Sequence, residues 1–286
     1  MNETTRGGRS PGSEYRMARL FPEGGAAIIC PIDHGLYFGR IRGLENPVAV
    51  LRSLARTEVT GFLMSPGLIR QTQREFGQAG HLARVMTLDF YWAGADPQQA
   101  TSSLIARVTD AVKMGVDCIK LLMPWNVSDL EKVALTARIG EVIAEAGLWQ
   151  MPVMVEPIVL GQPRGPEVAK AEREAARVAY ELGADIIKIA FPGRDATAAM
   201  VAELGVPVVI AGGPRAENTD EMIEVARDAI AAGARGLVLG RNVWQRSPDE
   251  ATSVMIALAR VAREATGKGR PVRRRADEAK APENVG

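Results

Sequence analysis

Short runs of Ile, Val and Leu recur along the chain, and between them apolar residues return at helical spacing. A parallel sheet with crossover helices requires this alternation. The runs predict eight strands, at 27–32, 61–65, 84–88, 117–123, 151–156, 185–191, 207–211 and 236–239. The clearest helical patterns lie at 47–57, 98–114, 128–146, 166–182, 197–204 and 218–232. Ser128 and Asn218 stand where N-caps belong, and Gly115, Gly147, Gly183, Gly205 and Gly233 stand where helices should end in a left-handed residue. Eight strand–helix units in this length suit a (β/α)8 TIM barrel better than an open doubly wound sheet, and no Gly-x-Gly-x-x-Gly follows the first strand.

The ends of the chain read differently. Residues 1–17 are polar and Gly-rich, and 266–286 are charged and poor in apolar side chains, so a single barrel domain at 18–265 with two flexible tails is expected. The arginine run at 273–275 reads as part of a solvated tail.

Composition narrows the function. The 286 residues carry 35 Lys+Arg against 34 Asp+Glu, a formal net charge of +1, so no global field draws the chain to nucleic acid or an anionic membrane. No segment approaches a membrane span of roughly 20 apolar residues, and the first 20 lack the apolar core of a signal peptide. A cytoplasmic protein is expected. Cys30 and Cys118 lie in apolar runs, as small buried thiols do. With His34 and His81 the only histidines, a zinc site would have to recruit carboxylates or cysteines, so neither metal nor cofactor is expected.

In a barrel the chemistry sits at the C-terminal ends of the strands. There the sequence places "PIDHG", "DCIKLLMP", "MVEPIV" and "GADIIKIAFPG". Asp33, Lys120, Glu156 and Lys188 thus converge on one face. An ammonium buried without a partner shifts towards neutrality, and a second cation nearby lowers its pKa further from about 10.4, leaving an amine able to attack a carbonyl. Each lysine could equally form a structural ion pair, Lys188 with Glu156 or Lys120 with Asp33. His34 reads as an orienting or surface residue. After the last two strands, "AGGPRAENTDEM" and "LGRNVWQ" place Gly212, Gly213, Gly240 and Arg241 where barrels often bind phosphate.

Taken together, these segments resemble the class I aldolases of the deoxyribose-phosphate/tagatose-bisphosphate/archaeal fructose-bisphosphate aldolase superfamily, over residues 28–262. The resemblance rests on "DHGLYFGRIRGLE", "GADIIKIAFPG" and "VVIAGGPRAENTDEMIEVARDAIAAGARGLVLGRNVWQ". It implies that Lys188 forms a Schiff base, that Asp33 is a polar active-site residue and that the substrate is a phosphorylated sugar. Where archaeal members commonly place a tyrosine on strand five, this chain has Glu156. With Lys120, that is closer to tagatose-bisphosphate and sulfofructose-phosphate aldolases. A transaldolase-like synthase or a thiolase-like enzyme, of the 2-amino-3,7-dideoxy-heptulosonate synthase or autoinducer-2-phosphate thiolase type, is the alternative, and a non-catalytic phosphosugar-binding barrel the second. Related barrels commonly assemble, so a homo-oligomer is expected.

Overall fold

The computed structural model describes residues 10–264 apart from 23–24 and 93–95. The expected C-terminal tail, with its arginine run, and the first nine residues lie outside the described residues. Eight parallel strands close into a TIM barrel: Ala27–Pro31, Gly61–Met64, Ala83–Thr87, Cys118–Pro124, Val153–Ile158, Ile186–Ala190, Val208–Ala211 and Gly236–Val238. Each pairs with its neighbours in sequence order, and the eighth pairs with the first, Ala27 opposite Gly236. All eight expected strands are present. Their ends shift by no more than two residues.

Side chains of alternate parity along each strand enter two separate cores. Outward residues such as Ile28, Cys30 and Ile32 pack with the helix ring. Inward residues such as Ile29, Val85, Cys118, Met154, Ile186 and Val209 fill the barrel. Both cysteines are free and buried, and burial drives both thiols well above their ordinary pKa, away from reactive thiolate.

The lower end of the barrel is closed by a helix at Pro11–Leu20, so the expected tail boundary at residue 17 falls inside an ordered element. Its Met17 and Leu20 join the interior core. Arg19 donates to the carbonyls of Gly80 (2.6 Å) and Leu82 (3.3 Å) and lies 2.9 Å from Asp117, all just before the third and fourth strands.

Three further details of the sequence pattern are corrected. The helix expected at 98–114 is confined to Val108–Lys113, because Thr101–Leu104 pairs antiparallel with Asp89–Trp92. Cross-strand contact with an aromatic-rich partner outweighs the helical spacing there. Gly147 lies within the helix Asp129–Leu148, and the left-handed residue beyond it is Gln150, φ 53°. The Gln150 side chain accepts a 2.7 Å hydrogen bond from the Gly12 amide of the closing helix. The helices Pro66–Gln71, Gln73–Gln78 and Pro248–Glu264 were not among those expected. Gly115, Gly183, Gly205 and Gly233 do adopt positive φ, and Ser128 and Asn218 do cap their helices.

Candidate active site

The strand period of two places the reactive groups. Cys118, Met154 and Ile186 point into the barrel, so Lys120, Glu156 and Lys188, two residues further on, form the next layer towards the C-terminal mouth. Val155 pairs with Ile187, which brings Glu156 and Lys188 side by side. The Lys188 Nζ donates to Glu156 Oε1, and the Lys120 Nζ lies 3.2 Å from Glu156 Oε2. One carboxylate therefore serves two amines. Lys120 also donates to Thr87 Oγ1 at 3.3 Å and sits over the Tyr37 ring, 5.6 Å from its centroid. Lys120 and Lys188 are only 1% and 7% exposed. The alternative pairing of Lys120 with Asp33 is not what forms: Asp33 Oδ1 instead lies 3.5 Å from His34 Nδ1.

This shared carboxylate separates the two lysines electrostatically. Burial lowers the pKa of Lys188; Glu156 opposes this, but Lys120 reinforces it, so the amine lies below its ordinary value. Burial also works against the charge on Lys120. There Tyr37, Glu156, Asp89 and Asp33 together outweigh it, and its pKa is raised. Burial alone would raise the pKa of Glu156, but Lys188 and Lys120 overcome it and lower the value to about 2. The resting arrangement is thus a fixed cation, a fixed anion and one amine displaced towards neutrality.

These groups form the floor of a cavity of about 490 Å³. Asp33, His34, Lys120, Glu156, Lys188 and Arg241 all line it. Arg241 begins a short helix after the eighth strand, and its buried Nε has no hydrogen-bond partner among the described residues. The three glycines lie in the adjoining loops, outside the lining. The Gly212 amide donates to Val238 as part of the barrel. A Cβ on Gly240 would meet Pro31 Cγ at 2.9 Å, so close packing alone requires glycine there. Gly213 has φ 66° and open space around its missing side chain. Among the described residues, no three His, Cys, Asp or Glu side chains group to hold a metal, and no helix is long and apolar enough to cross a membrane.

Sequence reasoning missed Tyr37, Thr87 and Asp89. Asp89 follows the third strand directly, so the strand-end rule that selected Asp33 and Glu156 applies to it equally. It is buried, one oxygen accepting from the Leu122 amide at 2.8 Å and the other unpartnered, and burial raises its pKa to about 6. Tyr37 contacts Thr87 at 3.2 Å through its hydroxyl, beneath the Lys120 contact.

Fold and cavity define a barrel protein with amines and carboxylates gathered at the mouth of the strands. The model of the DeoC/LacD family aldolases matches residues 27–246, and the chain belongs to that family. An uncharacterised aldolase of Saccharolobus solfataricus is 30% identical over 249 residues, covering 84% of this chain and 91% of that protein. The 2-amino-3,7-dideoxy-D-threo-hept-6-ulosonate synthase of Halobacterium salinarum is 33% identical over 239 residues, 80% of this chain and 84% of that one. Among solved structures, a Schiff-base-forming fructose-1,6-bisphosphate aldolase superposes with a TM-score of 0.71 at 25% identity. The match covers 88% of this chain and 99% of that one.

Proposed function

We propose that this protein is a class I aldolase that cleaves or forms a carbon–carbon bond of a phosphorylated ketose through an imine on Lys188. The observation that carries this reading is the buried Lys188–Glu156–Lys120 centre, in which one amine is driven towards neutrality beside a carboxylate. Neutral Lys188 Nζ adds to the ketone, and loss of water gives an iminium. Glu156, a carboxylate at rest, accepts the proton of the substrate hydroxyl as the adjacent carbon–carbon bond breaks. The iminium takes up the released electron pair as an enamine, which is why no metal or cofactor is needed. Lys120 keeps its charge, lowers the pKa of Lys188 and polarises substrate oxygens. Asp33 assists proton transfers in the carbinolamine or binds hydroxyls, and His34 contacts substrate beside it. Arg241 receives the phosphate, with Gly212, Gly213 and Gly240 shaping the loops around it.

Borohydride added with a panel of ketose phosphates tests the reading. A stable adduct is expected, detected by intact mass and mapped to Lys188. An adduct on another residue, or none across the panel, rejects it. The second reading is synthesis, in which a second aldehyde captures the enamine. The name of the Halobacterium salinarum relative favours it, and it uses the same imine. The protein is further proposed to act in the cytoplasm, and to do so as a homo-oligomer; exposed Leu130, Val133 and Leu148 on one helix support the assembly.

The two lysines can be told apart. Lys120→Ala removes the neighbouring positive charge, so the pKa of Lys188 rises and the acidic limb of the pH–rate profile moves to higher pH. The Lys188 adduct should still form, about tenfold or more slowly near neutrality. Loss of the adduct in Lys120→Ala while Lys188→Ala retains it would reverse the roles.

A further inference from the structure

The cavity mouth is asymmetric. In a ring of eight strands the eighth and the fourth stand opposite one another, so Arg241, after the eighth strand, faces the segments that follow strands three to five. Tyr91, Trp92 and Leu160 from those segments line the cavity, with Leu122 and Ile158 from the upper ends of the fourth and fifth strands. Phe38, at the end of the short helix Gly35–Phe38 after the first strand, also lines it and reaches this group through Tyr37. Trp92 and Phe38 are 62% and 64% exposed, unusual for large apolar side chains at a cavity edge. Trp92 stacks on Phe90 at 6.3 Å and Phe90 on Tyr37 at 6.1 Å, and Tyr37 in turn meets the Phe38 ring edge-on at 6.5 Å. The pairing of Asp89–Trp92 with Thr101–Leu104 fixes the strand that carries Trp92.

Cations are distributed the opposite way. Three line the cavity, and Lys120 and Lys188 are both committed to Glu156. Arg241 lines it, and among the described residues its buried Nε has no partner. On the aromatic side, residues 90–106 contain no lysine or arginine, and Arg164, beyond the fifth strand, is tied to Glu172 at 2.6 Å. Arg40 and Arg42, which follow Phe38, are exposed and are not part of the cavity lining. A second phosphate placed there would face apolar surface and meet no counter-charge in the lining.

We propose that the substrate is charged at one end only, with its anionic group at Arg241 and an uncharged apolar or aromatic end packed against the Trp92–Phe38 wall. This rests on the Schiff-base reading and specifies which aldehyde that chemistry uses. In the synthetic direction, the Lys188 iminium of a phosphorylated ketone loses a proton from the adjacent carbon to Glu156. The resulting enamine carbon bonds to the aldehyde carbon, and the aldehyde oxygen takes up that proton. Water then hydrolyses the iminium, releasing the aldol and free Lys188. Apolar surface on the aldehyde is removed from water by the wall, whereas a phosphorylated aldehyde is disfavoured there.

The test uses the full chain with dihydroxyacetone phosphate as donor and benzaldehyde, hexanal or glyceraldehyde 3-phosphate as acceptor, with product formation followed by mass spectrometry. Borohydride with the donor alone should label Lys188. The apolar aldehydes should exceed glyceraldehyde 3-phosphate in kcat/KM by about tenfold or more. Trp92→Ala should reduce that ratio about tenfold while leaving the donor adduct unchanged, and Trp92→Phe should restore most of it. Preference for the phosphorylated aldehyde, or equal loss for all acceptors in Trp92→Ala, overturns the proposal while the imine stands. An unchanged ratio with an altered oligomeric state makes the wall a contact between copies and also overturns it. Absence of any Lys188 adduct with the donor refutes the Schiff-base reading itself.

Discussion

Lys188→Met is expected to reduce turnover by about 10⁴-fold or more and to abolish the borohydride adduct, because methionine offers no electron pair that can form an imine. The fold should survive. The buried centre holds two amines and one carboxylate, and removing Lys188 leaves Lys120 paired with Glu156 at 3.2 Å, a balanced pair. Methionine is also close to lysine in length and fills the space among apolar neighbours such as Ile186 and Val209. The thermal midpoint should therefore stay within a few degrees of wild type or rise. Measured together, the three readouts discriminate: an inactive variant with an unchanged melting curve has lost chemistry, not structure. Residual turnover above about 1% would mean that another group carries the reaction.

Glu156→Gln is expected to act on both stability and chemistry. It leaves Lys120 and Lys188 facing each other in a buried layer with no carboxylate between them, and breaking a buried pair in this way typically costs about 3–5 kcal/mol. The pH dependence follows from the direction of the shift. The folded-state pKa of Glu156, about 2, lies below the ordinary value of 4.5. Its stabilisation is therefore fully present above about pH 4.5 and is lost as the pH falls towards and through 2. Denaturant titrations of both proteins from pH 7 downward should show the gap between them closing over that window. A constant gap would show that the side chain contributes packing and not charge. In single-turnover experiments at neutral pH, carbon–carbon cleavage should slow by about 10²-fold or more, since glutamine cannot take the substrate proton, whereas Lys188 should still be trapped.

How much of this could be read in the sequence depends on how local the cause is. Each barrel strand is an apolar run bounded by polar residues, and each is buried on both faces, so the runs alone located all eight. Lys188 stood out in "GADIIKIAFPG" because a cation in such a run demands a reason. Its sharing of Glu156 with Lys120 was not legible, since this depends on the stagger between three strands that are far apart in the chain. The helix Pro11–Leu20 was hidden by its composition. Only Ser13, Met17 and Leu20 are buried, a stripe too thin to register among glycines and charges, and its partners are barrel residues from the whole length of the chain. The pairing of Thr101–Leu104 with the DFYW strand was missed for the same reason: its helical spacing is local and its partner is not.

The helix Pro11–Leu20 also governs traffic. Met17 and Leu20 complete the packed interior below the active layer, so the cavity has one door, and Lys188 stands at its floor. On the Schiff-base reading, a fragment tethered to that amine sits behind any fragment bound nearer the door. In cleavage the untethered piece must leave before water can free the other. In synthesis the ketone must arrive before the aldehyde. The order of arrival and departure, which product-inhibition patterns report, is then a property of a cavity closed from below and not of the affinity of either ligand.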